Sequence, residues 1–163
     1  MASALIALGG NVGNVRATFK AAIADICTLA HASLVARSSD YATPPWGDEQ
    51  QPPFVNACIE VASDLTPQAL LNVLQTVERT FGRDRTRERR WGPRTLDLDL
   101  IAYDDLVLQT DTLTLPHPHV LERAFVLVPL AEITPQRKIC GRSVEAALAE
   151  VSSMGIERLP ALD

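Results

Sequence analysis

Asp97 and Asp99 are carboxylates two residues apart in the run Leu96-Asp97-Leu98-Asp99-Leu100-Ile101-Ala102-Tyr103. The run alternates with period two. Leu96, Leu98, Leu100 and Ala102 fall on one side of a strand; Thr95, Asp97, Asp99, Ile101 and Tyr103 fall on the other. Two carboxylates on one strand face stand roughly 7 Å apart. Like charges that close repel unless a cation lies between them. Mg²⁺ suits one or two carboxylates completed by phosphate oxygens. A bare Asp-x-Asp is as often a solvated strand face, so its neighbours decide.

The stretch just upstream, residues 83 to 94, holds six arginines against Asp84 and Glu88, a local charge of +4 in a chain whose net charge is −5. Guanidinium groups bind phosphate oxygens bidentately, while carboxylates hold the ion that accompanies a polyphosphate. The bland alternatives are a solvated charge run or a nucleic-acid patch. Binding nucleic acid in general needs phosphate-neutralising cations across a face, which the acidic balance of the chain disfavours.

Several elements must position these groups. Leu5 to Leu8 reads as a buried strand closed by Gly9-Gly10-Asn11, with Asn11 or Asn14 capping a helix that carries Val15, Phe19, Ala22, Ile23, Ile26 and Leu29 inward. The glycines lack the spacing of a phosphate or dinucleotide loop, so they read as a structural turn. Leu34 to Tyr41 is a weaker strand near an edge. Thr43-Pro44-Pro45-Trp46-Gly47 and Gln51-Pro52-Pro53 stiffen the loop after it. In the strand from Phe54 to Val61, residues Val55, Ala57, Ile59 and Val61 face inward, and Phe54, Asn56, Cys58 and Glu60 face the other way. Asn56 stands out mid-strand, because its amide needs partners that a planar heterocycle edge or a neighbouring loop could supply.

Thr66-Pro67 opens a second helix, apolar at Leu70, Leu71, Leu74, Val77 and Phe81 and ended by Gly82, with Gln75 and Glu78 on its polar side. After a turn at Asp104-Asp105 come a short strand at 112–115 and the stiff loop Pro116-His117-Pro118-His119. Arg123 and Phe125 lie on an apolar segment that begins as helix. A last amphipathic helix spans Ser143 to Val151, capped by Ser143, with Val144, Ala147, Leu148 and Val151 inward. The order strand, helix, strand, strand, helix, strand is the split βαβ, ferredoxin-like pattern. The expected class is α+β, an antiparallel sheet with helices on one face and additional C-terminal helices. The opposite sheet face, bearing Asn56, Asp97 and Asp99, is expected to be open for a ligand.

At 163 residues, 47% apolar and 21% charged, the chain is expected to form one soluble domain over residues 1–163. Its start lacks a basic leader, and Phe125 to Ile133 contains Pro129 and Glu132, so neither a signal peptide nor a membrane span is expected. Cys27, Cys58 and Cys140 are too few and too far apart for a disulfide frame, and suggest reduced core thiols in a cytoplasm.

The run Arg90-Trp91-Gly92-Pro93-Arg94-Thr95-Leu96-Asp97-Leu98-Asp99-Leu100 resembles the signature of the 6-hydroxymethyl-7,8-dihydropterin pyrophosphokinases. The resemblance extends through Leu8-Gly9-Gly10-Asn11, Tyr41-x-Thr43-Pro44-Pro45 and Phe54-Val55-Asn56-Ala57 to about Leu130. It implies transfer of pyrophosphate from ATP to the hydroxymethyl group of a reduced pterin, with release of AMP, as a step of tetrahydrofolate biosynthesis. It implies that Asp97 and Asp99 ligate two Mg²⁺ ions that accompany ATP. It places Thr43, Pro44, Pro45, Phe54 and Asn56 at the pterin, with Trp91 and Phe125 stacking on its faces. Gln75, Glu78, Arg85, Arg94, His117 and Arg123 fall where the family contacts ATP, and Arg85 and Arg94 join the two aspartates as catalytic groups. Gly10 stands where Ser is common, Phe54 where Tyr is common, and Pro118 follows His117 where other residues occur.

The expected reaction is in-line attack of the pterin hydroxyl on the β-phosphorus of ATP, with Arg94 and a second loop arginine stabilising charge on the α,β-bridging oxygen. The 83–92 loop is expected to be mobile when empty and to close over ATP. The partners are then ATP and the reduced pterin, with no nucleic acid and no membrane, and the chain is expected to act as a monomer. Two rivals use the same residues: another Mg²⁺-dependent nucleotidyl transferase or nuclease, and a nucleotide- or pterin-binding module without turnover.

Overall fold

The computed structural model describes residues 1–44, 52–82 and 95–162. The central strand β1 (Ala2–Gly10) is the apolar run read from the sequence, extended at both ends. It lies between β4 (Phe54–Ser63) and β5 (Asp97–Tyr103) and pairs antiparallel with both. A strand buried on both faces needs apolar residues at successive positions. Ala4, Ile6 and Leu8 accordingly enter one core cluster, while Leu5 and Ala7 enter another. Beyond β4 lie β2 (Ser33–Arg37) and β3 (Tyr41–Thr43), with the C-terminal β10 (Glu157–Arg158) against β3. The weak strand expected over 34–41 is thus two short strands. Leu34 and Val35 of β2 are exposed, as an edge position allows.

Two helices, α1 (Val15–Leu29) and α2 (Pro67–Thr80), cover the first face of the sheet. Phe19, Ala22, Ile23 and Ile26 of α1 and Leu70, Leu74 and Val77 of α2 pack there with Ile6, Leu8, Ile59 and Leu98. Asn14 is the cap of α1, its side chain accepting the Ala17 N–H at 3.2 Å. Asn11 instead donates Nδ2 to the Pro52 carbonyl at 3.0 Å, across a separation of 41 residues. Thr66 caps α2 at the Ala69 N–H, and Gly82, at φ +85°, ends it in the left-handed region that favours glycine.

The second face is not wholly open, contrary to the sequence expectation. Helices α3 (Ala124–Ile133) and α4 (Val144–Ala149) pack on it. Val126, Leu127 and Leu130 of α3 and Val144 and Ala147 of α4 bury Leu5, Ala7, Cys58 and Ile101. The apolar residues at one end of the face bring the helices down. Only the end that carries Asn56, Gly9 and Asp97 is polar enough to stay outside this second core. Ser143 caps α4 through the Ala146 N–H, as its position predicts.

The strict alternation expected along β5 fails at one point. Leu5 stands opposite Ala102 and Ile6 opposite Leu100, so Ile101 is the extra residue of a β-bulge. Ala102 therefore joins Ile101 in the second core instead of the leucines in the first. Tyr103 turns back to the first core and donates its hydroxyl to the Leu65 carbonyl at 2.7 Å. The bulge leaves the Ile101 carbonyl to accept the His117 N–H at 2.8 Å, which anchors the loop that follows the hairpin of β6 (Leu108–Gln109) and β7 (Thr114–Leu115). A further hairpin, β8 (Lys138–Ile139) and β9 (Arg142–Ser143), turns at Cys140-Gly141. Cys140 is exposed there and Cys27 is half-buried, so of the three expected core thiols only Cys58 is fully enclosed.

Candidate functional site

One row of residues crosses four strands. Tyr41 of β3 is in register with Asn56 of β4, Asn56 with Gly9 of β1, and Gly9 with Asp97 of β5. Residues in register share a face, so Asn56 and Asp97 project from the same side of the sheet, two strand spacings or about 10 Å apart at the backbone. Between them Gly9 presents no side chain. A Cβ placed on Gly9 would come 3.0 Å from Asn56 Nδ2 and 4.0 Å from the Asp97 Cβ. The Asn56 amide thus lies over bare backbone, on the flank towards the aspartate. One step along, Cys58, Ala7 and Asp99 form the parallel row.

Asn56 is 8% exposed and Thr43 4% exposed, and the Thr43 hydroxyl donates to Asn56 Oδ1 at 2.8 Å. That bond uses the amide oxygen and leaves the Nδ2 donors directed over Gly9. The Tyr41 hydroxyl donates at 2.6 Å to Glu132 Oε1 on α3, and the Ser39 N–H meets both Glu132 oxygens at 2.9 and 3.0 Å. Burial, then the Glu132 carboxylate, push the Tyr41 phenol up to about 12. Burial alone would raise Glu132, but the bonds from Tyr41 and Ser39 hold its carboxyl below its ordinary value. The ends of β2 and β3 are pinned in this way to the helix above them.

Asp97 and Asp99 are both half-buried on the second face. Burial, followed by the charge of Asp99, drives the Cys58 thiol far above its ordinary range. Beside Asp97 lies the His117 imidazole. Its pKa falls to about 4, chiefly through burial and then through the positive charges of Arg123 and His119, while Asp97 pulls the other way. His117 Nδ1 accepts the His119 N–H at 3.2 Å. The neutral ring therefore carries its proton on Nε2. The Arg123 guanidinium sits 5.7 Å from the centre of the Phe125 ring, within cation–π range.

The structure thus gathers Thr43, Asn56, Asp97, Asp99, His117, Arg123 and Phe125 around the end of the second face that, among the described residues, α3 and α4 do not bury. Phe54, opposite Thr43 in the ladder, lies beside them. Pro44 adjoins the C-terminal segment, since a Cβ on Gly155 would meet its Cγ at 3.1 Å. Gln75 is half-buried on α2. Glu78 is not on a polar helix surface: it is 2% exposed, and its Oε2 accepts the Leu98 N–H at 2.8 Å. Pro45, Arg85, Trp91 and Arg94, with the expected closing of the 83–92 loop, lie outside the described residues.

Sequence reasoning passed over Gly9, which it read only as a turn, and the Tyr41–Glu132 pair. The signal for Gly9 was a glycine at the end of a strand whose two neighbours each carry a lone polar residue. Nothing local links Tyr41 to Glu132, 91 residues apart.

Two oxygen-donor carboxylates on one face fit Mg²⁺, which keeps water or phosphate oxygens in the rest of its shell. Among the described residues no group of three or more His, Cys, Asp or Glu could hold an ion. The aspartate pair would therefore share its ion with ligand oxygens. Also among the described residues, no helix is long and apolar enough to cross a membrane.

Residues 5–135 match the family model described as 7,8-dihydro-6-hydroxymethylpterin-pyrophosphokinase (HPPK). The 2-amino-4-hydroxy-6-hydroxymethyldihydropteridine pyrophosphokinase of Methylorubrum extorquens is 46% identical over 98% of this chain and 99% of its own length. That of Pseudomonas aeruginosa is 41% identical over 95% of each. A crystal structure of Plasmodium falciparum HPPK-DHPS with pteroate superposes at a TM-score of 0.70 over 91% of this chain and 42% of its own, at 12% identity. The crystal structure of an HPPK-DHPS in complex with substrates superposes at 0.69 over 91% of this chain and 43% of its own, also at 12% identity. This chain spans less than half of those longer chains, and at such identity they speak for the fold alone. The antiparallel sheet, the helices on its faces and the near full-length identity agree: the chain belongs to the 7,8-dihydro-6-hydroxymethylpterin-pyrophosphokinase family.

Proposed function

We propose that the open end of the second face is the active centre for the family's reaction, transfer of pyrophosphate from ATP to the hydroxymethyl group of 6-hydroxymethyl-7,8-dihydropterin, leaving AMP. The enzyme is an ATP-dependent diphosphokinase of folate biosynthesis. The observation that carries the assignment of the site is the placement of Asn56 and Asp97 on either side of bare Gly9. A planar ring read at its polar edge by Asn56, and lying over Gly9, points its far substituent towards the aspartates.

Thr43 orients the Asn56 amide, so its Nδ2 donors meet a ring acceptor without a rotamer search. Phe125 offers one stacking face, worth about 0.5–1.5 kcal/mol beyond burial, and Trp91 would close the other. Asp97 and Asp99 would hold magnesium, two ions arriving with ATP. Magnesium, when bound, neutralises charge on the phosphate oxygens. Neutral His117 offers an Nε2–H donor to a phosphate oxygen without losing a proton there, and Arg123 adds a fixed positive charge. Gln75, Arg85 and Arg94 complete the nucleotide side. No described side chain combines a strong base with a position over Gly9, so positioning carries much of the rate. We place the enzyme in the cytoplasm.

The test is incubation of the chain with ATP, Mg²⁺ and the reduced pterin, with nucleotides separated by chromatography. AMP should appear in step with pterin diphosphate. Formation of ADP, or of AMP without pterin, would overturn this reading.

A further inference from the structure

Glu78, which the family resemblance places on the nucleotide side, is also a buried carboxylate with a backbone partner between the two aspartates. It lies near the C-terminal end of α2, 2% exposed, and accepts the Leu98 backbone N–H at 2.8 Å. Leu98 is the residue between Asp97 and Asp99. Among the described residues β5 pairs only with β1, Leu98 standing opposite Leu8, so β5 ends the sheet. The outward amides of an end strand have no ladder partner. An amide buried without a partner is unfavourable, and Leu98 is itself only 2% exposed. The Glu78 carboxylate takes the place of the missing strand, and a charged acceptor makes the stronger bond.

The location of that bond gives it a consequence beyond packing. Asp97 and Asp99 project from one face on alternate residues, where like charges push apart, and an end strand is the part of a sheet most able to yield. Tying down the N–H between them fixes the backbone that sets their separation and common direction. We propose that Glu78 is a positioning residue: from the opposite side of the sheet it holds the β5 backbone so that Asp97 and Asp99 meet a divalent cation together. This rests on the reading of the two aspartates as metal ligands.

Two conservative variants of the full chain separate reach from charge. Glu78→Gln keeps the reach and an oxygen acceptor but loses the charge. Glu78→Asp keeps the charge but falls one methylene short of Leu98. Mg²⁺ is titrated by calorimetry in the presence of a non-hydrolysable ATP analogue, with melting temperature and AMP formation measured alongside. Glu78→Asp should raise the half-saturating Mg²⁺ concentration about tenfold, the scale seen when a group supporting a metal ligand is lost. Glu78→Gln should stay within about threefold of wild type, and the KM for pterin should move less than about twofold in both. Where Glu78→Asp does not fold, Glu78→Met, similar in reach without an oxygen acceptor, should show the same rise. A Gln variant weaker than the Asp variant would overturn the proposal, because the charge of Glu78 and not its reach to Leu98 would then be the cause. A lower melting temperature with unchanged metal dependence would overturn it equally. A wild-type chain that binds Mg²⁺ and nucleotide but forms no AMP refutes the diphosphokinase reading, while the Gln–Asp contrast still decides the role of Glu78.

Discussion

Asn56 and Asp97 stand on the same face of the sheet with only the backbone of Gly9 between them, and a single methyl group at Gly9 would touch the Asn56 amide at 3.0 Å. The backbone at Gly9 is extended strand, so alanine fits its conformation and the space above it is what changes. Gly9→Ala should push the Asn56 amide away from Thr43 and intrude on the ring floor. Pterin affinity should fall about tenfold, or about 1.4 kcal/mol, while ATP affinity stays within about twofold. Calorimetric titration of each ligand checks this. Equal losses for both ligands would mean general distortion, and no loss would remove Gly9 from the pterin floor.

The aspartate pair makes a separate forecast, because it is placed to bind charge and not to build the core. Asp97→Ala or Asp99→Ala should lower turnover at least about a thousandfold, since several kcal/mol of charge stabilisation go with the ion. The fold should be kept, so melting without ligand should remain a single cooperative transition. Turnover and melting curves, each with and without a chelator, measure both effects. Substantial activity in either variant would place the metal elsewhere.

The order of elements was legible because each carries its own local signal. Asn14, Thr66 and Ser143 cap helices that their sequences announce. Alternation from Val55 to Val61 separates two faces that the fold keeps apart. What could not be read locally was set by distant partners. The extra residue Ile101 appears only when β5 is laid against β1. The cover on the second face comes from α3 and α4, whose apolar residues do not say which face of the sheet they will meet. Glu78 reads as surface by its residue type, yet it is drawn inward by an end-strand amide 20 residues away. The polar members of the site were visible as lone exceptions on apolar strands, Asn56 above all, whereas Gly9 works through what it lacks.

His117 should stay neutral through the working pH range. Its pKa, lowered to about 4 by burial and by Arg123 and His119, lies below the ordinary 6.5. Between those two values the unfolded chain binds the proton and the folded chain does not, so this residue contributes a loss of stability as pH falls from about 6.5 to 4. Turnover should show no step from His117 above about pH 5. His117→Asn should lower kcat/KM for ATP roughly tenfold, as loss of one hydrogen bond to a charged group would, with the shape of the pH profile kept. A wild-type step near pH 6.5 that vanishes in the variant would show instead that His117 titrates during catalysis.

The Tyr41–Glu132 bond should give the protein a stability plateau bounded on both sides. Glu132, lowered from an ordinary 4.5 by Tyr41 and Ser39, contributes stability that is present above about pH 4.5 and lost as pH falls through its folded value. Tyr41, raised from 10 to about 12 by burial and by Glu132, contributes stability that is present below pH 10 and lost as pH rises from 10 to about 12. Glu132→Gln should flatten the acid limb and Tyr41→Phe the alkaline one, each lowering mid-range stability by about 1–2 kcal/mol. Denaturant unfolding across pH measures both limbs. Tyr41 shares a face with Thr43 and pairs with Asn56 in the ladder. Loosening its tie to α3 should therefore also raise the KM for pterin severalfold, and a pterin KM unmoved in both variants would confine the pair to stability.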